Sequence, residues 1–425
     1  WYPNQDMKKV YMIGIGGIGM SALAQLYADQ GVSVSGSDRE ESPTTELLTK
    51  KGISVTIGQK GENVPTDADL VVYTEAAWED NPERMRAKEL ELLQRSYFEA
   101  LGEISKGKRT IAVSGTHGKT TTTGMLARVL KDAGAAPSAI VGSIVKDFGS
   151  NYLSGTSDWL VVEACEYKRD FLTLTPEIVV VTNIELDHTD YYKDLADVQS
   201  AFRTLMERAK VVVTDTEHPN IAPLLSGLSA QIVNYRVEPS YTLLLPGEFN
   251  VMNAQAAAAA AHAAVPGIAQ DTVTESLVAF EGTWRRFEYK GKSKKGADVY
   301  DDYAHHPTAV EKTLKELRKR TDGKIYVAFH PHLYSRTRDL LEGFSNAFTD
   351  ADRVIIAPIY PAREIDDGSI SSAMLAERIA QNGIDARAGD FVEIRRFFET
   401  EPGPGDIIMT MGAGDIYKVA DELVA

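Results

Sequence analysis

The first thirty residues place an apolar run, a glycine-rich turn and a helical pattern one after another. Val10–Ile15 predicts a buried strand, and Ile18–Gln30 has apolar residues at helical intervals. Between them Gly14–Gly19 matches G-x-G-x-x-G, and Asp38 ends the next predicted strand about twenty residues on. Such glycines let the backbone approach a diphosphate at a helix N-terminus, which predicts a nucleotide site in an α/β fold. A tight turn that needs glycine only for packing is the alternative.

The same alternation of apolar runs and helical patterns continues through all 425 residues. It predicts mostly parallel sheets flanked by helices, in three α/β domains with the boundaries 1–108, 109–284 and 285–425. Other strand candidates are 32–37, 54–57, 70–73, 110–113, 159–162, 178–181, 297–300, 324–329, 353–358 and 407–411. Other helix candidates are 81–101, 120–132, the alanine-rich stretch after Asn250, 308–318, 371–381 and 415–423.

Charge and cysteine content exclude several classes of protein. Lysine and arginine number 45 against 61 aspartates and glutamates, which gives a net charge of −16. This balance argues against a general nucleic-acid or anionic-membrane partner. The single cysteine, Cys165, cannot form an internal disulfide, and no apolar run approaches the roughly 18 residues of a membrane span. We therefore expect a cytoplasmic protein.

A second glycine-rich turn, Gly115–Thr120, also stands between a predicted strand and a predicted helix. It is a shortened phosphate loop, with two residues between the glycines instead of four. In such loops backbone N–H groups cradle phosphate oxygens, here with Lys119 neutralising the outer phosphates and the Thr120 hydroxyl ligating Mg²⁺. The alternative is a glycine turn with an incidental lysine. Four successive threonines, Thr120–Thr123, are poor helix formers that need another reason to be there.

Two further polar groups follow predicted strands of the same block. Glu163 comes directly after the run 159–162, and His188 closes the stretch that follows the run 178–181. Ligands of open α/β sheets bind outside the carboxyl ends of the strands, so both side chains could hold a divalent cation near a γ-phosphate. Glu163 could instead be a solvated carboxylate, and His188 a structural histidine.

The last third of the chain is rich in histidine and arginine. Six of the eight histidines lie in motif-like places: His117, His188, His305, His306, His330 and His332. A zinc site is an alternative, but clean zinc spacing is absent. Arginine suits carboxylate and phosphate oxygens better, and the candidates are Arg285, Arg286, Arg336, Arg338 and Arg363.

Two nucleotide-type sites in one chain suggest a nucleotide-linked substrate and a separate ATP. Phosphoryl transfer to a carboxylate brings two anions together, so it needs a lysine and bound metal to neutralise charge. The acyl phosphate that results must be kept from water until an amine attacks it and phosphate leaves.

At this point the residues resemble a known family. The stretches GTHGKTTT, VVEACEY, TNIELDH, GEFNVMNA, FEGTWRRFE and DDYAHHP occur in the order seen in Mur ligases, over nearly the whole chain. The resemblance implies a Rossmann-like first domain, a central P-loop ATPase-like domain and a Rossmann-like third domain. Within the family, GIGGIGMSALA, SGSD, EDNPE and PHLYSRTRD look most like the branch that joins L-alanine to UDP-N-acetylmuramic acid.

The resemblance also implies roles for individual residues. UDP-sugar-binding residues would be Gly16, Gly17, Ile18, Gly19, Ser37 and Asp38. ATP-binding residues would be Gly115, Thr116, His117, Gly118, Lys119, Thr120, Thr121, Asn250, Arg286 and Asp302. Two Mg²⁺ ions, which Mn²⁺ could replace, would take Thr120, Glu163 and His188. Arg285, His305, His332 and Arg336 would bind the acceptor, and Lys119, Glu163, His188 and Arg336 would carry the catalysis.

Three departures from the family pattern matter. Phe249 stands where the family usually has a histidine, and Leu333 stands where it often has an arginine. The stretch 234–246 is shorter by some tens of residues than the resemblance implies. Either the protein lacks the extra strands that these residues form in similar enzymes, or the sequence as given leaves the residues out. We expect that the sequence leaves them out.

Other functions remain open at this stage. A recycling ligase that attaches an intact tripeptide to the same UDP sugar is the nearest, although PHLYSRTRD favours single-residue addition. An NAD-dependent oxidoreductase would leave GTHGKTTT and DDYAHHP without a role, and a non-catalytic regulator would not need a full set of metal ligands. The oligomeric state expected is a monomer or a homodimer.

Overall fold

The protein contains three β-sheets flanked by helices in a computed structural model that describes residues 7–362 and 364–424. Arg363, one of the candidate arginines, lies outside the described residues. The chain divides into two compact units. The first unit carries the first two sheets and comprises the residues up to 185 together with 196–244 and 251–281. The second unit carries the third sheet and comprises 186–195, 245–250 and 282 onwards.

The first sheet has five parallel strands in the order β3-β2-β1-β4-β5. The strand order reverses beside β1, so the carboxyl end of β1 is the switch point where such sheets bind ligands. The strands are β1 Lys9–Ile13, β2 Ser33–Asp38, β3 Ser54–Ile57, β4 Leu70–Tyr73 and β5 Gln94–Ser96. The helices are α1 Ile18–Asp29, α2 Pro43–Lys50, α3 Pro82–Glu89 and α4 Tyr97–Lys106.

The second sheet has seven strands in the order β12-β11-β10-β6-β9-β7-β8, and only the pairing of β7 with β8 is antiparallel. The strands are β6 Arg109–Ser114, β7 Ser138–Val145, β8 Ser150–Leu153, β9 Trp159–Glu163, β10 Pro176–Val181, β11 Val211–Thr214 and β12 Gln231–Asn234. The helices are α5 Lys119–Asp132, α6 Leu195–Met206, α7 Ala222–Leu225, α8 Glu248–Ala264 and α9 Gln270–Val278.

The third sheet has six strands in the order β13-β14-β18-β15-β16-β17, with β13 antiparallel at one edge. The strands are β13 Glu288–Lys292, β14 Asp298–Asp302, β15 Ile325–His330, β16 Arg353–Ile356, β17 Asp385–Ala388 and β18 Ile407–Gly412. The helices are α10 Pro307–Arg318, α11 Tyr334–Asp339, α12 Leu341–Asn346, α13 Ser372–Gln381, α14 Phe391–Thr400 and α15 Tyr417–Val424.

The predicted α/β class with mostly parallel sheets is confirmed, but the single helical stretch 81–101 is wrong. Glu91 adopts a positive φ of 53° just after α3, which ends that helix. The next residues form β5, whose Gln94 pairs with Val71 of β4 at the sheet edge. Ser96 then starts α4, because its side chain accepts the N–H of Glu99 while the Glu99 carboxylate accepts the N–H of Ser96.

The first two sheets are joined through helix α1 and strand β8. The Asn151 side chain is fully buried, and its amide group donates to the Ser21 hydroxyl at 2.8 Å and to the Ile18 carbonyl. Gln25, one turn further along α1, donates to the Asn151 side-chain oxygen and accepts from the Ser150 hydroxyl. The helix that begins at the first glycine turn is therefore fixed to the central sheet by buried polar groups.

Among the helices of residues 7–362 and 364–424, none has the length and apolar character that crossing a membrane requires.

Candidate functional site

The first glycine turn, Gly14–Gly19, is tied to the end of β2. The backbone N–H groups of Gly14 and Ile15 both donate to the Ser37 carbonyl, at 2.8 and 2.9 Å. The N–H of Gly16 donates to the Asp38 carboxylate at 2.8 Å. Gly14 has φ +75°, and a Cβ there would lie 2.5 Å from the Thr74 side chain, so only glycine fits. A cleft of about 280 Å³ opens beside this turn and is lined in part by Asp38, Arg39, Gln59 and Thr74.

Ser37 is held from the opposite side by a buried carboxylate. Its hydroxyl donates to Glu83 at 2.5 Å, and Glu83 is completely buried. The Tyr11 hydroxyl and the Asn63 amide also donate to Glu83. Three side-chain donors thus compensate the buried charge. Sequence patterns did not predict this role for Glu83, although it lies in the quoted stretch EDNPE.

Tyr97 explains why the third glycine of the first turn is needed. A Cβ on Gly19 would lie 2.7 Å from Cζ and 2.9 Å from the hydroxyl oxygen of Tyr97. Tyr97 is the first residue of α4, so this helix delivers an aromatic ring directly against the start of α1. The phenol is half-buried, and burial followed by the charge of Glu163 raises its pKa. Sequence analysis did not single out Tyr97.

The phosphate loop, Gly115–Thr120, uses both of its glycines for conformation and close approach. Gly115 has φ +133° and Gly118 φ +85°, regions that other residues rarely adopt. A Cβ on Gly115 would meet the Thr182 hydroxyl at 2.1 Å, and one on Gly118 would meet the Asn253 side chain at 2.3 Å. Both positions of the loop therefore require glycine.

His117 is anchored at the tip of the phosphate loop. Its backbone N–H donates to the Asn183 side chain at 2.9 Å, and its ring Nε2 lies 3.4 Å from the Glu185 carboxylate. The Thr182 hydroxyl donates to the His117 carbonyl at 2.6 Å. The segment after β10 therefore holds the loop in shape.

Lys119 lies in the loop with every ammonium proton engaged. It donates to the carbonyls of Gly115 and Thr116 and to both carboxylate oxygens of Glu166, at 3.2 and 3.0 Å. The Glu166 side chain is 2% exposed and that of Lys119 14% exposed. Burial disfavours the charged lysine, but the negative charge of Glu166, with that of Glu163, outweighs it and raises the Lys119 pKa.

Thr120 and Glu163 form the one pair of predicted metal ligands that lies within a single unit. The Thr120 hydroxyl donates to one Glu163 carboxylate oxygen at 3.1 Å. The other oxygen accepts the N–H of Gly142 on β7 at 2.7 Å. A hydroxyl and a carboxylate held this way are hard oxygen donors of the kind Mg²⁺ prefers. Thr121, also assigned to ATP, is buried.

The second unit builds a different polar cluster, around Arg336. Its Nε donates to the Asp187 carboxylate at 2.8 Å and its Nη1 to His332 Nδ1 at 3.0 Å. His332 therefore carries its proton on Nε2 and is neutral. Burial alone would raise the Asp187 pKa, but the Arg336 charge, followed by that of His188, holds it well below its usual range. His332 also stacks on Tyr360, with ring centroids 5.6 Å apart.

The remaining histidines of this unit surround the same cluster. The His305 ring lies 6.1 Å from that of His332, and burial followed by the Arg336 charge holds the His305 pKa well below its usual range. His306 Nδ1 accepts the N–H of Thr308 and caps α10, so its Nε2 donates to the Leu186 carbonyl. His188 takes a left-handed φ of 52°. His305 and His306, the two histidines of DDYAHHP, therefore both have contacts within this unit.

Three residues that the resemblance assigned to ligands are engaged in internal contacts. Arg285 is 4% exposed and donates to Asp301 and to the carbonyls of Gly412 and Gly414. Asp302 accepts backbone N–H groups with both oxygens, and burial raises its pKa to about 6. The Asn250 amide donates to the Pro246 carbonyl at 2.6 Å. In this arrangement Arg285 has a structural role.

Arg286 and Phe249 have clear neighbours as well. The Arg286 guanidinium lies 4.9 Å from the centroid of the Tyr303 ring. Phe249, which departs from the family pattern, packs on the core of the third sheet, 6.5 Å from the Phe287 ring. Its side chain thus serves packing rather than polar contact.

The first two sheets each carry a glycine-rich turn between a parallel strand and a helix, an arrangement typical of nucleotide-binding α/β proteins. Three sequence profiles match it: "Mur ligase family, catalytic domain" over residues 9–109, "Mur ligase middle domain" over 113–239 and "Mur ligase, glutamate ligase domain" over 285–414. The chain belongs to the Mur ligase family.

Individual relatives match over nearly the full length. A "UDP-N-acetylmuramate--L-alanine ligase" of Clostridium kluyveri is 39% identical, and one of Clostridium botulinum is 40% identical, each with 97% of both chains covered. The alignments span 447 and 449 positions against 425 residues here, so both relatives carry insertions. The structure of UDP-N-acetylmuramate-alanine ligase from Thermotoga maritima has a TM-score of 0.81 and 28% identity over 98% of both chains.

A murein peptide ligase from Psychrobacter arcticus shares the fold, with a TM-score of 0.73 and 22% identity over 98% of this chain and 100% of that one.

Proposed function

We propose that the protein joins L-alanine to the lactoyl carboxylate of UDP-N-acetylmuramic acid at the expense of ATP, in the synthesis of peptidoglycan precursors. The observation that carries the proposal is the full-length likeness to ligases of that name, 36–40% identical in the Clostridium species. The two glycine turns of the first unit support it, because a nucleotide-linked sugar and ATP would each need a phosphate-binding turn. We further propose that the protein works in the cytoplasm as a monomer or homodimer.

The UDP sugar is assigned to the first glycine turn. Gly16, Gly17, Ile18 and Gly19 would lie near the diphosphate, with Ser37 and Asp38 near the uridine. Asp38 accepts the Gly16 N–H. The diphosphate would therefore bind to the other N–H groups of the turn, with Asp38 kept in place.

ATP is assigned to the phosphate loop, with Lys119 beside the outer phosphates. Thr120 and Glu163 fit one Mg²⁺, and His188 is assigned to a second. Bound divalent cations, Mg²⁺ or Mn²⁺, would neutralise phosphate charge as the carboxylate attacks. The residues assigned to the nucleotide are Gly115, Thr116, His117, Gly118, Lys119, Thr120, Thr121, Asn250, Arg286 and Asp302.

The chemistry divides into two displacements. A carboxylate oxygen of the sugar attacks the γ-phosphorus and ADP leaves, which forms an acyl phosphate. The alanine amine then attacks the acyl carbon and inorganic phosphate leaves. Lys119 would stabilise charge in the first step, while Arg336, with His305 and His332 nearby, would hold the acceptor's carboxylate. Arg285 is not included, because each of its three guanidinium nitrogens already donates to a partner inside the second unit.

Phosphate release tests this function. The purified protein is incubated with ATP and Mg²⁺, and UDP-N-acetylmuramic acid and L-alanine are added singly and together. We expect release only with both, and a product heavier by one alanine residue. Release without L-alanine, or none with both substrates, would contradict the proposal.

The second candidate function is tripeptide ligation, because a murein peptide ligase has a similar fold. The same assay with the tripeptide L-alanyl-γ-D-glutamyl-meso-diaminopimelate in place of L-alanine separates the two reactions. We expect kcat/KM for L-alanine to exceed that for the tripeptide by at least about tenfold. The reverse order would identify a recycling ligase.

A further inference from the structure

Glu166 has no part in the reaction described so far, yet both of its carboxylate oxygens accept from Lys119 of the phosphate loop. It lies three residues after Glu163, at the end of β9. The two carboxylates have different partners: Glu163 contacts Thr120 and the Gly142 N–H, whereas Glu166 contacts Lys119. One stretch of chain therefore supplies separate carboxylates for the hydroxyl and for the lysine of the loop.

A count of donors shows what the Glu166 contact means for a ligand. A lysine ammonium has three protons. In this structure they are directed to the Gly115 carbonyl, the Thr116 carbonyl and the Glu166 carboxylate. A phosphate oxygen that binds Lys119 must therefore replace one of these acceptors.

Glu166 is the acceptor most readily given up. The two carbonyls belong to the loop backbone, which hydrogen bonds from the Thr182 hydroxyl and to the Asn183 side chain hold in place at His117. The Glu166 carboxylate is negatively charged, and a phosphate bound to Lys119 would place a second negative charge beside it. Repulsion between the two anions favours separation of the Glu166–Lys119 pair.

We propose that Glu166 is a positioning residue that orients Lys119 before a nucleotide binds and competes with nucleotide phosphates for it. Glu166 thereby lowers the affinity of the loop for ATP and ADP and speeds the release of ADP. This inference rests on the proposed assignment of the loop to ATP.

The test is direct binding of ADP and ATP, by calorimetry, to the full chain and its variants. We expect Glu166→Gln to bind ADP on the order of tenfold more tightly than the unchanged protein, because a neutral amide competes less well for the ammonium group. The gain should persist with EDTA in place of Mg²⁺, since the competition involves lysine rather than metal.

Steady-state kinetics provide a second measurement, with a result that a purely structural role of Glu166 would not produce. We expect Glu166→Gln to lower both KM for ATP and kcat, because ADP leaves more slowly. Glu166→Asp keeps the charge on a shorter side chain and should bind ADP with intermediate affinity. It decides the question if Glu166→Gln does not fold.

Glu185→Gln is the matched control, because it removes a carboxylate that contacts the same loop through His117 and leaves Lys119 alone. We expect its ADP affinity to change less than about threefold. Equal tightening in both variants, or unchanged or weaker binding in Glu166→Gln, would overturn the proposal. If the unchanged protein binds neither ADP nor ATP, the ATP assignment itself fails and the inference with it.

Discussion

Gln25 of helix α1 donates a hydrogen bond of 3.1 Å to the side-chain oxygen of the buried Asn151 on β8. The same asparagine donates to the Ile18 carbonyl and the Ser21 hydroxyl at the start of α1. Because α1 begins at the first glycine turn, this contact fixes the position of the proposed UDP-sugar site on the central sheet.

Asn151→Ala should therefore lower the free energy of unfolding by about 2–3 kcal/mol, because it leaves buried partners in α1 without hydrogen bonds. Urea unfolding would measure the change. Asn346→Ala is a suitable control, since the bonds of Asn346 to Glu342 are exposed. Equal stability of the two variants would show that the junction contributes little.

Lys119→Ala should lower kcat by more than about a hundredfold, because Lys119 is the one lysine or arginine in the stretch Gly115–Thr120. Binding of UDP-N-acetylmuramic acid should change less than twofold, since the proposed sugar site uses the other glycine turn. Lys131→Ala, near the end of the same helix, is the control for loss of a lysine. Loss of UDP-sugar binding in Lys119→Ala would count against separate sites.

Asp38→Ala should weaken the UDP sugar more than ATP, because Asp38 fixes the Gly16 N–H and closes the first turn. We expect about a tenfold rise in KM for the sugar, consistent with the loss of a charge-assisted hydrogen bond. Asp38→Asn keeps an oxygen acceptor and should have a smaller effect. If KM for ATP rises as much as KM for the sugar, the uridine-side assignment is wrong.

Local sequence rules identified the turns, because a glycine pattern between a strand and a helix needs no distant partner to be recognised. They placed Lys119 and Thr120 in the phosphate loop for the same reason. Glu83, Tyr97 and Glu166 could not be found this way, since each acquires its role only when a distant segment packs against it. Arg285 had the right chemistry for a ligand contact, but folding directs it to Asp301 and two carbonyls.

Sequence patterns also failed to predict the edge strand β5. The strand β5 is three residues long and carries Gln94 and Arg95, so it lacks the apolar run that predicts a strand. Only pairing with β4 makes it a strand, and that pairing is not visible in a local pattern.

Gly19→Ala should destabilise the protein by about 1–3 kcal/mol, because the added methyl group would lie 2.7 Å from the Tyr97 ring. The clash is specific to that ring, so the effect should shrink in the double variant with Tyr97→Ala. A double-mutant cycle by urea unfolding would measure a coupling of about 1 kcal/mol or more. Simple additivity of the two substitutions would show that Gly19 is needed for another reason.

Stability in acid should depend on His330, which is 4% exposed and packs against Gly414 and Phe391. Burial lowers its pKa from 6.5 to about 4. The folded protein then takes up this proton less readily than the unfolded chain, so His330 leaves stability unchanged above pH 6.5 and reduces it as the pH falls towards 4.

The loss in free energy of unfolding should approach about 3 kcal/mol at pH 4 and below, since each pKa unit corresponds to about 1.4 kcal/mol. His330→Asn cannot take up the proton and should show a flatter decline in the free energy of unfolding between pH 7 and pH 5, measured with urea. Its stability at pH 7 will be lower because the ring packing is lost, so the slope with pH is the quantity to compare. His262→Gln, at a half-exposed position, is the control and should keep the steeper decline. Parallel curves for the unchanged protein and His330→Asn would show that His330 is not the group that titrates.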